Sequence, residues 1–118
     1  MTSQDDYSKR VVSTIIDQLG GKRFMMMTGC KNFIYQGITE DNNNVWVRMD
    51  VPRNSGNINR FKVTYNRGTD SYELEFYQQR FNRKTFEYEV KNKKEFFDVY
   101  AEQLQTFFTG VTGLYTSL

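Results

Sequence analysis

Between residues 23 and 91, apolar side chains recur at every second position in six successive runs, at about 23–28, 31–36, 45–51, 59–66, 71–79 and 84–91. A period of two sends alternate side chains to opposite faces of an extended chain, so this pattern commits most of the molecule to an antiparallel meander. Helical spacing brackets it on both sides. Tyr7, Val11, Val12, Ile15, Ile16 and Leu19 repeat every three to four residues, with Asp5 and Asp6 at the end of the dipole that favours acids and Gly20-Gly21 as a stop, which predicts a helix over 5–19. At the far end, Asn92 and Glu95 have the spacing of a capping box ahead of Phe96, Phe97, Tyr100, Leu104, Phe107 and Phe108, which predicts a second helix from 92 to about 109, broken by Gly110 and Gly113. The expected fold is one α+β domain over 1–118: a helix, about six strands and a closing helix, with both helices on one sheet face.

Pairing of the runs follows from their turns. A tight loop at NRGT, residues 66–69, sets Val63 opposite Tyr72 and Phe61 opposite Leu74 on one face, with Lys62 against Glu73 and Arg60 against Glu75 on the other. Carried across a turn near Phe81, the same alternation sets Leu74 beside Tyr88 and Phe76 beside Phe86, and gathers Glu73, Glu75, Glu87 and Glu89 into one outward cluster. In GGKRFMMMTGCKNF, residues 20–33, Gly29-Cys30 suits a type II′ turn that pairs Met26 with Phe33, Phe24 with Tyr35 and Met25 with Ile34. That hairpin is apolar on both sides. Its second face, Met25, Met27 and Ile34, then needs a cover, either the tail residues Val111, Leu114, Tyr115 and Leu118 or the same face of a second copy in a homodimer.

The chain contains no histidine, which removes Ser-His and Cys-His nucleophile pairs and imidazole metal ligands. Cys30 is the single cysteine, so no intramolecular disulfide or cysteine-rich zinc site forms, and a reducing, cytoplasmic setting is expected. Lys31 beside it is the one feature that favours a lowered thiol pKa, and an incidental thiol is the simpler reading. The opening MTSQDDYSKR has no apolar export region, and no run reaches the roughly 18 apolar residues of a membrane span. The glutamate cluster reads as a solvated charge ladder, and TEDNNN, residues 39–44, as a hairpin loop that lacks the glycine and distal glutamate of a calcium loop. No catalytic residue, metal site or cofactor fingerprint emerges.

Two stretches point to anions. In YQQRFNRKTFEYEVKNKK, residues 77–94, Arg80, Arg83, Lys84, Lys91, Lys93 and Lys94 alternate with aromatic residues, Phe81 among them, a combination that single-strand binders use to hold phosphates and stack bases. Net charge is only +2, so any such footprint must be local. Lys93 and Lys94 at the start of the predicted helix oppose its dipole, as cations kept for a ligand do. VPRNSGNINR, residues 51–60, offers Arg53 and Arg60 as a weaker phosphate site, although it matches neither a P-loop nor a dinucleotide fingerprint.

QLGGKRFMMMTGCKNF, VPRNSGNINRFKVTYNRGTDSYELEF and the ending VYAEQLQTFFTGVTGLYTSL resemble a group of small uncharacterised proteins encoded by tailed bacteriophages and related mobile elements. The likeness covers most of the chain, with TGLYTSL its most specific part. It implies a phage accessory protein in the cytoplasm of a bacterial host, and it assigns no functional residue. The expected function is weak, non-enzymatic binding of single-stranded DNA or RNA through Arg80, Phe81, Arg83, Lys84, Lys91, Lys93 and Lys94. The alternative is a protein-interaction module, such as an inhibitor of a host enzyme, acting through an interface of Met25, Met27, Ile34, Leu114 and Tyr115.

Overall fold

The computed structural model describes residues 3–40 and 42–116; Asp41 of the Asn-rich loop and Leu118 of the tail lie outside them. The chain runs α1 (Ser3–Leu19), α2 (Gly21–Thr28), β1 (Lys31–Gln36), β2 (Trp46–Asp50), β3 (Arg60–Asn66), β4 (Ser71–Asn82), β5 (Glu87–Val99), a single 3-10 turn (Ala101–Gln103) and α3 (Leu104–Thr112). The five strands form one antiparallel sheet in sequence order, with β1 and β5 at its edges. The α+β class and the meander are as the periodicity predicts. No described helix is long and apolar enough to cross a membrane.

The sixth strand is missing because the methionine run is helical. Phe24 and Thr28 are buried one turn apart, Met25 and Met27 are half-buried beside them, and Met26 on the far side is 84% exposed. Alternation of large residues over five positions is also compatible with a helix whose buried stripe is two residues wide. Gly20 (φ 126°) and Gly21 (φ 59°) make the break between α1 and α2, which only glycine adopts without strain. Gly29 (φ 77°) ends α2 as a left-handed cap, its N–H donating to the Met25 carbonyl, so it is a helix stop and not a hairpin turn. The predicted pairs Met26-Phe33, Phe24-Tyr35 and Met25-Ile34 therefore do not form; β1 pairs only with β2, through Ile34 opposite Arg48 and Tyr35 opposite Val47.

The sheet registers are also corrected. Asn66 pairs with Ser71, leaving a four-residue loop held by the Gly68 N–H on the Asn66 side chain (3.0 Å), so Val63 faces Leu74 and Phe61 faces Phe76. The slip is two residues, which keeps every side chain on its expected face. The larger change is in β5. Residues 92–99 continue the strand, and the Asn92 capping box is not formed; Asn92 (φ 56°) and Asp98 (φ 55°) instead sit where the register against β4 shifts by one residue. Lys93 and Lys94 thus lie in a strand, and the dipole argument for them lapses.

All three helices lie on one face, where Ile15, Leu19, Phe24, Val47, Met49, Phe61, Val63, Leu74, Phe76, Leu104 and Phe108 are fully or almost fully buried. Phe108 of α3 centres this core, its ring 5.0 Å from Phe24 and 5.3 Å from Phe61. The Gln105 side chain donates to the Leu19 carbonyl at 2.8 Å, which satisfies one of the open carbonyls at the end of α1. No helix among the described residues lies on the other sheet face.

Candidate nucleic-acid interface

The β4–β5 hairpin runs past the region covered by helices. From Asn82 opposite Glu87 to Gln78 opposite Lys91 it is a regular ladder, closed by a turn in which the Asn82 side-chain carbonyl accepts from the Lys84 N–H (2.9 Å) and Phe86 adopts a left-handed φ of 57°. With the core behind it, the ribbon sorts its own residues by the period of two. Phe81, Tyr88 and Val90 fall on the face continuous with the open side of the sheet, and Arg80, Glu89 and Lys91 on the opposite face.

On the apolar side the tip carries an aromatic group that nothing buries. Phe81 lies 6.0 Å from Phe86 and 5.2 Å from Tyr88, both edge to face, yet Phe86 is 79% and Tyr88 68% exposed. Rings held against one another but open to water form a stacking platform. Sequence alternation places Phe86 in the core; the longer ribbon moves it to the tip.

The predicted cations divide into two groups. Between Gln78 and Lys94 there are six basic residues against two acids. Arg80, Arg83, Lys84, Lys91 and Lys94 are exposed and make no ion pair with any described residue. Lys93 differs: its ammonium sits 3.2 Å from Glu95 and 3.4 Å from Glu75, and these two carboxylates raise its pKa. Together with Lys62, 3.6 Å from Glu75, it forms an alternating ladder across the open face, which replaces the basic-acidic-acidic rows expected from the sequence. Glu87 and Glu89 face Asn82 and Arg80, so the four-glutamate cluster is not assembled.

Of the two arginines in the 51–60 segment, Arg60 is committed to Asp50 at 3.1 Å. Arg53 shares a polar cleft of about 240 Å³ with Asn57, Gln78 and Arg80. Its floor is set by Asn54, whose side chain spans the loop from the Pro52 carbonyl (2.7 Å) to the Ile58 carbonyl (2.6 Å) while accepting from the Gly56 N–H. The pairing of Arg53 with Arg80 is not visible in the sequence, because it takes the fold-back of β3 and β4 to bring them together.

The proposed methionine interface does not come together. Met25 and Leu114 pack against the core from the helical side, whereas Ile34 opposes Arg48 on the open face and Tyr115 is 70% exposed. Cys30 is buried, and desolvation raises its pKa despite the Thr28 hydroxyl beside it, opposite in sign to an activated thiol.

A cleft of about 440 Å³ lies elsewhere, between α1 and the β3–β4 turn, lined by Tyr7, Arg10, Gln18, Tyr65, Asp70 and Tyr72. There the Tyr65 hydroxyl donates to Asp70 at 2.6 Å and the Tyr72 hydroxyl to Gln18. The bond to Asp70, then desolvation, push the Tyr65 phenol up to about 12. Because the folded pKa is raised, this stabilisation is complete below the ordinary phenol pKa and is lost as pH rises through about 12. Asp70→Asn is expected to return Tyr65 towards an ordinary phenol pKa of about 10, read as tyrosinate absorbance; an unchanged titration refutes the bond as its cause.

No protein-family model matches the chain, and neither the curated proteins nor the solved structures contain a match.

Proposed function

We propose that the protein binds single-stranded nucleic acid weakly and without sequence preference at the tip of the β4–β5 hairpin, and that it performs no catalytic step. The observation that carries this reading is the exposed Phe81, Phe86 and Tyr88 group at the end of a ribbon that also bears five cations outside any described ion pair. Bases stack on the rings while Arg83 and Lys84 in the turn meet phosphates. Arg80, Lys91 and Lys94 lie across a ribbon one strand thick, well within the roughly 8–10 Å over which charge is felt at ordinary salt. Arg53 extends the positive surface to the base of the hairpin through the cleft it shares with Arg80. Lys93 and Arg60, neutralised by their own carboxylates, are left out of the site. The resemblance to small phage proteins gives the activity its setting, an accessory role in nucleic-acid metabolism within a bacterial cytoplasm.

The test is titration of a fluorescent oligonucleotide over a range of salt. Changing Arg80, Arg83 and Lys84 together to Ala is expected to weaken binding and to lower the slope of log affinity against log salt by about 2, near 0.7 for each phosphate that is no longer neutralised. Phe86→Ala is expected to weaken binding about tenfold with the slope unchanged, as removal of a stacking ring does. Because these side chains are exposed, thermal stability should hold in both variants. Absence of binding by the parent protein at low salt would discard the proposal and leave the aromatic tip as a protein-docking surface.

A further inference from the structure

The free edge of the sheet carries a charge pattern that inverts about one residue. Reading outward from Val90 and passing over the extra residue at Asn92, Glu89 is matched by Lys91 and Glu87 by Lys94, with Tyr88 and Lys93 between them. β5 pairs with β4 on one side only, and all but two of its thirteen residues are exposed. We infer that two copies of this chain pair antiparallel along this edge, about a two-fold axis at Val90, and join their meanders into one ten-stranded sheet.

Register is the argument. An axis perpendicular to the sheet keeps both helical layers on the same side, and it lets a residue pair only with one on its own face, so it must pass through a residue and not between two. Through Val90, with Asn92 passed over as the extra residue, the charged pairs on the helix-side face are unlike: Glu89 with Lys91 twice and Glu87 with Lys94 twice. Axes at the neighbouring positions put like charges directly opposite, Glu89 against itself, Lys91 against itself, Glu87 against Glu89 at Tyr88, or Lys91 against Lys94 at Lys93. One register is selected. The two valines meet on the open face, where each is 52% exposed in the single chain, with Tyr88 on either flank.

The backbone keeps the pairing short: it is regular from Glu89 to Lys91 about Val90, and the outer Glu87–Lys94 pair crosses the extra residue at Asn92. Glu87 to Lys91 forms an uninterrupted ladder with β4, bounded by Phe86 and Asn92 in left-handed conformations, and Asp98 interrupts the edge again. Such irregularities stop an edge from propagating, so the contact closes as a dimer and does not grow into a fibre. Glu89 accepts from the Asn82 side chain at 2.9 Å, and neither it nor Lys91 makes an ion pair within the chain among the described residues, which leaves their charges for the partner. The inference stands without the nucleic-acid reading. If both hold, the two aromatic platforms lie on one face of one sheet.

Sedimentation velocity on nuclease-treated protein tests it. The parent is expected to dimerise with rising concentration. Glu87→Lys with Glu89→Lys makes the helix-side face of the edge all basic, and Lys91→Glu with Lys94→Glu makes it all acidic; each alone should weaken self-association at least tenfold, and an equimolar mixture should form a heterodimer. Val90→Cys should oxidise to a covalent dimer much faster than Tyr88→Cys, because only the axial residue faces itself, and this arm does not depend on the charge variants folding. A parent monomeric at several hundred micromolar, reversed variants that still self-associate or fail to pair with each other, or equal oxidation at 88 and 90 would overturn the inference.

Discussion

Phe108→Ala is expected to cost about 3–5 kcal/mol, a large share of the roughly 5–15 kcal/mol that holds a domain of this size together. Phe108 is fully buried, and its ring touches α2 through Phe24 (5.0 Å), β3 through Phe61 (5.3 Å) and β4 through Phe76 (6.4 Å), so the cavity opens where three elements meet. Urea denaturation should show a lowered midpoint with little change in slope. The informative control is Phe97→Ala. If residues 92–109 were one helix, as capping and spacing predict, Phe97 would lie on its apolar stripe and its loss would cost a similar amount. In the strand it is 61% exposed, and the expected cost is within about 0.5 kcal/mol. Equal destabilisation by the two changes would refute the course of β5.

Gly56→Ala is expected to destabilise by about 1–3 kcal/mol through overpacking. A methyl group there would stand 2.2 Å from the Val111 carbonyl oxygen, and backbone cannot step aside as the end of a side chain does. The approach is close because Ser55 donates to the Thr112 carbonyl at 3.0 Å and Gly113 ends α3 in a left-handed cap beside it. Ser55→Ala alone should cost about 1 kcal/mol, and less once Gly56→Ala has already forced the loop away from the helix. Full additivity of the two, or a neutral Gly56→Ala, would show that the 51–59 loop does not seat on α3.

How far the sequence discloses this fold depends on where its periods are pure. β1 to β3 are read to within a residue at each end, because each has one period and one punctuating turn, whereas α1 begins two residues before and β4 runs three residues beyond the expected bounds. β5 is misread for a physical reason. Each extra residue, near Asn92 and Asp98, turns a step of two between same-face residues into a step of three, so Lys91 and Lys94, then Phe96 and Val99, acquire helical spacing inside a strand. α2 fails in reverse, since two buried positions per turn make a short helix look two-sided. The basic and aromatic composition of the hairpin is legible, but its geometry is not. The ion pairs that remove Lys93 and Arg60, and the approach of Arg53 to Arg80, depend on cross-strand register, which a one-residue bulge is enough to alter.

The buried sulfur of Cys30 gives the molecule a built-in timer. It sits at the joint between the left-handed end of α2 and the first residue of β1, covered by the core, with its thiolate disfavoured by burial. An alkylating reagent therefore meets this site only during excursions in which the joint parts. With no second cysteine in the chain, the rate of modification of the unaltered protein counts those excursions directly. Comparing that rate with global unfolding separates local breathing at the methionine helix from dissolution of the whole sheet.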